Sequence, residues 1–134
     1  MRGKEPGSNL AVVRVLFDQG TPVPLRNYLP EHKVATAAEM GWSTLSNGEL
    51  LDAAEKEFDV LVTTDQALKS QQDLSRHKLA IVVLPFASWP KLQPHADRIA
   101  SRIGQVRRGE YCKIGNRVIE GDRPYLLRVN SWLT

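Results

Sequence analysis

What this chain has little of narrows its class. Cysteine occurs once among 134 residues, at Cys112, so no internal disulfide can staple the fold. A lone thiol suits a reducing cytoplasm, or a residue that only fills space, and no His-containing partner motif accompanies it as nucleophilic catalysis would need. Long apolar runs are missing too: the longest, Leu79 to Pro85 among them, fall far short of the roughly 18 to 20 residues of a membrane helix. The opening "MRGKEPGSNL" carries charge, Gly and Pro without an apolar stretch, and reads as a flexible leader over 1–10 and not as a secretory signal. His32, His77 and His95 share no metal-ligand spacing, which argues against zinc and reads all three as surface or loop residues. No internal repeat is visible.

What is present is ordinary for a globular chain: 42% hydrophobic and 25% charged residues, enough for one core. At about 100 to 200 residues per domain, one domain is the simplest reading. The net charge is only +3 but unevenly spread. From Arg98 onward eight basic residues stand against three acids, so the remainder of the chain is about two units acidic. A basic flank beside an acid-lined body suits a protein that binds phosphate and uses a metal; a solvated basic tail is the alternative.

Along the chain, short apolar runs alternate with amphipathic ones. Residues 11–17, with three valines and Arg14 as the one polar exception, predict a strand covered on both faces. Thr21 and Pro22 start a helix that ends by Leu29, ahead of Pro30. A short strand over 33–36 is followed by a loop through Gly41. Leu45, Leu50, Leu51, Ala54 and Phe58 then fall near one helical face, and Ser46 three residues before Glu49 is the pattern of a capping box, predicting a helix over about 47–56. Strands over 59–64 and 79–85 enclose a short helix over 66–74. Ala96, Ile99, Ala100 and Ile103 turn one face of a further helix inward, with Arg98 and Arg102 on the other side and an end near Gly104.

This alternation predicts an α/β protein, a three-layer α/β/α sandwich with a mainly parallel central sheet, over 11–104. Residues 105–134 read as a basic C-terminal extension, with Gly115 and Asn116 the turn of a hairpin. Trp42 and Trp89, each next to a serine, read as seals at the core edge more readily than as base-stacking platforms.

Two apolar runs end on acids: "VRVLFDQGTP" on Asp18 and "DVLVTTDQAL" on Asp65. Ligands of an open parallel sheet bind outside the carboxyl ends of its strands. If these two strands are neighbours, about 5 Å apart, their carboxylates share a gap of ion-binding size. Like charges that close shift one pKa upward or recruit a cation, and oxygen donors without His or Cys favour Mg²⁺ or Mn²⁺ over zinc. Each acid has a structural alternative. Asp18 can form a turn ahead of Thr21 and Pro22, and Asp65 can cap the helix that follows it. Glu49 can serve as a third ligand from the intervening helix or be held in the capping box.

In order and spacing, "LFDQGTP", the acid of "STLSNGELL" and "VLVTTDQALKSQQDL" resemble the PIN-like domain superfamily, and most of all its short bacterial, toxin-related branch. The resemblance spans about residues 11 to 90. It implies an acidic metal pocket in which Asp18, Glu49 and Asp65 are the metal-binding and catalytic acids, with Thr63 hydrogen-bonding a carboxylate. It also implies divalent-metal-dependent cleavage of RNA, often controlled by an antitoxin. The chain differs from many members in carrying Ala67 where a second strand-end acid would stand, and Gln19 and Gly20 in place of Glu and Asn, so three acids would serve one ion.

The expected chemistry is phosphodiester hydrolysis. Lys69 either steers a phosphate or is a solvated helix residue, and Arg98, Arg102, Arg107 and Arg108 contact a nucleic-acid backbone. The partners considered are RNA, an antitoxin protein and a second copy of the chain, in the cytoplasm. The competing reading keeps the fold but makes the protein a weakly catalytic module that works by binding an antitoxin or nucleic acid.

Overall fold

The computed structural model describes residues 12–115 and the backbone of 126–128. Its centre is a sheet of β1 (Arg14–Phe17), β2 (Lys33–Thr36), β3 (Val60–Thr63), β4 (Ala80–Val83), β5 (Tyr111–Ile114) and β6 (Leu126–Arg128). The strands lie in the order β2-β1-β3-β4-β5-β6. Every pairing among β1 to β5 is parallel, and β6 is antiparallel to β5 with Ile114 opposite Leu126. Asn116 of the Gly115–Asn116 turn expected from the sequence lies outside the described residues. β5 starts within the segment read as an extension, yet it pairs with β4 and buries Cys112 and Ile114 in the core.

Strand side chains alternate between two apolar layers, as a pleated sheet requires. Val15, Phe17, Val60, Val62, Ala80, Val82, Cys112 and Ile114 face one layer, closed by Leu25 and Leu29 of the first crossover and by Leu92, Ile99 and Ile103. Leu16, Leu61, Ile81, Val83 and Tyr111 face the other, closed by Leu50, Leu51, Ala54 and Leu68. The helices are α1 (Asn47–Glu57), α2 (Leu68–Gln71), α3 (Trp89–Leu92) and α4 (Ala96–Gln105). The first crossover is a 3-10 helix, Val23–Tyr28, with Pro22 and Pro24 restricting regular α-helical hydrogen bonding at its start. The arrangement is the α/β/α sandwich that the alternating pattern predicts.

Trp42 and Trp89 both close core edges. Trp42 meets Phe58 edge-on at 6.0 Å between ring centroids, and Trp89 meets Tyr28 at 5.8 Å. His32 and His77 lie in loops, as expected, but their side chains are not at the surface. The His32 side chain is 4% exposed and accepts a hydrogen bond from the Val13 amide at Nδ1, tying the start of β1 to the loop before β2. The His77 side chain is 7% exposed, with Nδ1 2.6 Å from Glu55 on α1. Each covered imidazole thus has a polar partner, the Val13 amide for His32 and the Glu55 carboxylate for His77. Among the described residues no helix is long and apolar enough to cross a membrane.

Candidate functional site

The strand order makes β1 and β3 neighbours from which the chain departs in opposite directions. The first crossover leads outward to β2, and α1 leads back past β1 to β3 on the other face. In an open α/β sheet such a switch point leaves a crevice at the carboxyl ends of the two strands, because their outgoing loops diverge. Asp18 follows β1 directly and Asp65 follows β3 by two residues, so both acids belong to the rim of that crevice.

Thr63 connects them. This last residue of β3 is fully buried, and its hydroxyl is used in both directions: Oγ1 donates to Asp18 Oδ2 at 2.8 Å and accepts from the Asp65 amide at 3.0 Å. The other Asp18 oxygen accepts from the Gln19 amide at 2.7 Å. Asp65 Oδ1 accepts from the Ala67 amide at 2.9 Å, a turn that leads into α2. Asp18 therefore holds the local turn expected of it, whereas Asp65 closes a turn and does not cap α2, which starts at Leu68 with Ala67 before it; both acids remain half-buried.

The loops of the two strands interlock around this pair. The Asp18 amide and the buried Thr21 hydroxyl both donate to the Val62 carbonyl, at 2.9 and 2.8 Å. Gly20 passes so close to the β3 loop that a Cβ there would lie 2.7 Å from Thr64 Oγ1. Any side chain at this position would require Thr64 to move.

α1 runs back along the sheet, so its N-terminus lies at the same end as the acids. The side chain that reaches them is Asn47, whose Nδ2 is 3.4 Å from Asp65 Oδ2. Glu49 completes the capping box, with Oε1 accepting from the Ser46 amide at 2.9 Å while Ser46 Oγ accepts from the Glu49 amide at 3.2 Å. Sequence reasoning passed over Asn47, although its place directly after the cap residue Ser46 marked it as the first helical side chain on the rim.

Of the remaining expected residues, Lys69 is exposed with its ammonium 5.8 Å from the Tyr111 ring centroid. Arg108 is committed elsewhere: it pairs with Asp59 at 2.9 Å and donates to the Phe58 carbonyl, at the amino end of β3. That is the end of the sheet opposite Asp18 and Asp65. The Arg107 amide donates to Glu110 in the loop before β5. Arg98 lies in the first turn of α4 and Arg102 one turn on, each engaged with other groups of the protein. The structure thus joins Asp18, Thr63, Asp65 and Asn47, and does not bring Arg108 to them.

The donors at the crevice are hard oxygens from two carboxylates. Among the described residues no group of three His, Cys, Asp or Glu side chains is arranged to hold a metal ion. Two carboxylates nevertheless fit the way Mg²⁺ is commonly bound, through one or two carboxylates with waters and substrate phosphate completing the shell. No protein family, curated protein or solved structure matches this chain. Fold and site together define an open, doubly wound α/β protein with an acidic crevice at its switch point.

Proposed function

We propose that this chain is a divalent-metal-dependent ribonuclease of PIN-like type, the toxin component of a toxin-antitoxin pair acting in the cytoplasm. The observation that supports it most is the joining of two strand-end carboxylates at the switch point through one buried hydroxyl. Asp18 and Asp65 would hold Mg²⁺ or Mn²⁺. Such an ion, when bound, acidifies a water and neutralises charge on the phosphate under attack. The chain's own contribution is positional. Thr63 fixes one oxygen of Asp18, the Ala67 amide fixes one oxygen of Asp65, and Asn47 lies against the second oxygen of Asp65. Glu49 would join as a third acid only through the oxygen its cap leaves over.

The test is cleavage of a mixed pool of structured and single-stranded RNA with Mg²⁺, Mn²⁺ or chelator. Wild type should cut only with metal. Asp65→Asn, which keeps an oxygen for the Ala67 amide and so keeps the turn, should lose more than the roughly 10- to 100-fold that removal of a mere supporting partner costs. Equal cutting by both proteins, or cutting in chelator, overturns the reading.

The use of Glu49 as a cap, together with Ala67 in place of a second strand-end acid, favours a second reading: a PIN-like module with a weakened site that acts by binding. Salt-sensitive retention of RNA or of an antitoxin, without cleavage in any metal, would select it.

A further inference from the structure

Between the first crossover and α4, on the face of the sheet opposite α1, lies a groove of about 270 Å³. The volume is just under the roughly 300 Å³ at which small-ligand sites begin. Asp97, Ala100, Ser101, Gly104 and Gln105 line it from α4, at spacings that share one helical face, and the three small residues among them make that face concave. The facing wall is Tyr28, Glu31 and His32. His32 sets the chemistry. Its side chain is 4% exposed, and Nδ1 is taken by the Val13 amide at 3.0 Å. A neutral imidazole that accepts at Nδ1 carries its proton on Nε2, so Nε2 is a donor. It is turned toward the groove: a Cβ on Gly104 would lie 3.0 Å from it, and Glu31 Oε2 is 3.9 Å away, beyond hydrogen-bonding reach. Among the described residues no hydrogen-bond acceptor meets this donor.

We propose that this groove binds a neutral ligand bearing adjacent hydroxyl groups, a sugar ring foremost, with one hydroxyl bridging His32 Nε2 and Glu31. The inference goes beyond the ribonuclease reading and does not depend on it. The bridge fits the geometry. An oxygen about 2.7–2.9 Å from both groups spans their separation of 3.9 Å with an angle of roughly 90°, accepting from Nε2–H and donating to the carboxylate. The charge on the walls selects among ligands. Glu31 and Asp97 oppose a phosphate or carboxylate but accept readily from hydroxyls. The proton on Nε2 refuses a metal ion, and an ammonium would set its own N–H groups against that proton. Tyr28, Ser101 and Gln105 add groups that both donate and accept, which suits a ring carrying several hydroxyls. Gly104 lies within α4 and has no left-handed backbone, so its missing Cβ serves the approach to His32 and not a turn.

The experiment is NMR titration of the full chain, as wild type, His32→Asn and Gly104→Ala, with D-ribose, D-glucose, adenosine, 2′-deoxyadenosine and ribose 5-phosphate, following the His32 ring and the amides of α4. Ribose or glucose should move these signals saturably, and ribose 5-phosphate should bind more weakly than ribose. His32→Asn keeps an acceptor for the Val13 amide but removes the ε donor, and should weaken sugar binding about tenfold, the scale of one buried hydrogen bond. Gly104→Ala should do the same by setting a Cβ against Nε2. Alanine favours a helix more than glycine does, so this variant decides the matter if the asparagine variant fails to fold. Adenosine binding tighter than ribose, with 2′-deoxyadenosine weak, assigns the hydroxyls to a nucleoside, and a free sugar binding tighter than adenosine assigns them to a carbohydrate. Signals that no polyol moves mean that water alone bridges His32 and Glu31, and overturn the proposal. Sugar binding that Gly104→Ala leaves unchanged overturns it too, as does ribose 5-phosphate binding tighter than ribose. None of these titrations involves cleavage, so their failure and that of the ribonuclease reading are separate results.

Discussion

At the scale of single residues, Thr63 has the most to lose. Its hydroxyl is buried, donates to one acid and accepts from the backbone of the other. Replacing it with valine keeps the shape and leaves the half-buried Asp65 amide without this partner, a loss of about 1–3 kcal/mol. Urea unfolding of Thr63→Val should show a lower midpoint at an unchanged slope, and Thr63→Ser should recover most of the loss by restoring the hydroxyl. A midpoint equal to wild type would mean that water replaces the hydroxyl without cost. Residues of this kind were only half legible. Asp18 and Asp65 announced themselves because an acid ending an apolar run is locally anomalous. Asn47 did not, since an amide in the first turn of a helix has many uses and only the tertiary fold aims it at Asp65. The closeness of Gly20 to Thr64 joins residues 44 apart in sequence, which no local pattern encodes.

At the scale of elements, α1 is the best-specified piece. Ser46 and Glu49 satisfy two otherwise unpaired amides at its start, while Leu50, Leu51 and Ala54 are buried under the sheet. Ser46→Ala should cost about 0.5–2 kcal/mol in thermal or urea unfolding, as loss of an N-cap oxygen generally does. Glu49→Gln should retain the cap, because glutamine serves the same box. Comparing its metal-dependent cleavage with that of Glu49→Ala separates the two uses of the residue. Activity that follows stability marks a cap, and activity lost in the stable glutamine variant marks a ligand. Elements with a clear period, β1, α1 and α4, were readable within a residue or a few of their ends. α2 is shorter than expected because the Asp65 turn occupies its first residues and Gln72 already leaves helical geometry. α3 escaped notice because four residues containing a proline give no periodic signal. β5 was taken for part of a ribbon since its Lys113 and flanking polar residues hide how deeply Cys112 and Ile114 are buried.

At the scale of the whole molecule, charge is distributed between two ends of one sheet. At the amino end, Asp59 is bound by the Arg14 side chain and amide and by Arg108. Burial pushes its carboxyl up, but the bonds from Arg14 and Arg108 outweigh burial and hold it below the ordinary value of 3.8. A carboxyl depressed by folding binds its proton more weakly in the folded than in the unfolded state. The stability it contributes is therefore complete above the unfolded value and is lost as pH falls through the folded one. Urea midpoints measured from pH 7 down to pH 3 should drop in wild type as the medium passes below about 4. Asp59→Asn should begin lower at pH 7 and fall less steeply. Parallel curves for the two proteins would remove Asp59 from the acid response. The basic excess of the C-terminal third is thus partly internal mortar, and the count of arginines overstated the charge left for an outside anion.

The same two ends bear on how the crevice comes into being. Arg14 reaches Asp59 at one end of the central strand pair, and Asp18 reaches Thr63 at the other, each contact closing 45 residues of chain. Neither can form while β1 and β3 are apart, and α1 must already have crossed between them. The acidic rim is consequently an assembly that a partly folded chain does not possess. Any ligand that requires both Asp18 and Asp65 reports on whether the first strand has found the third, and by binding only that paired state it draws folding to completion.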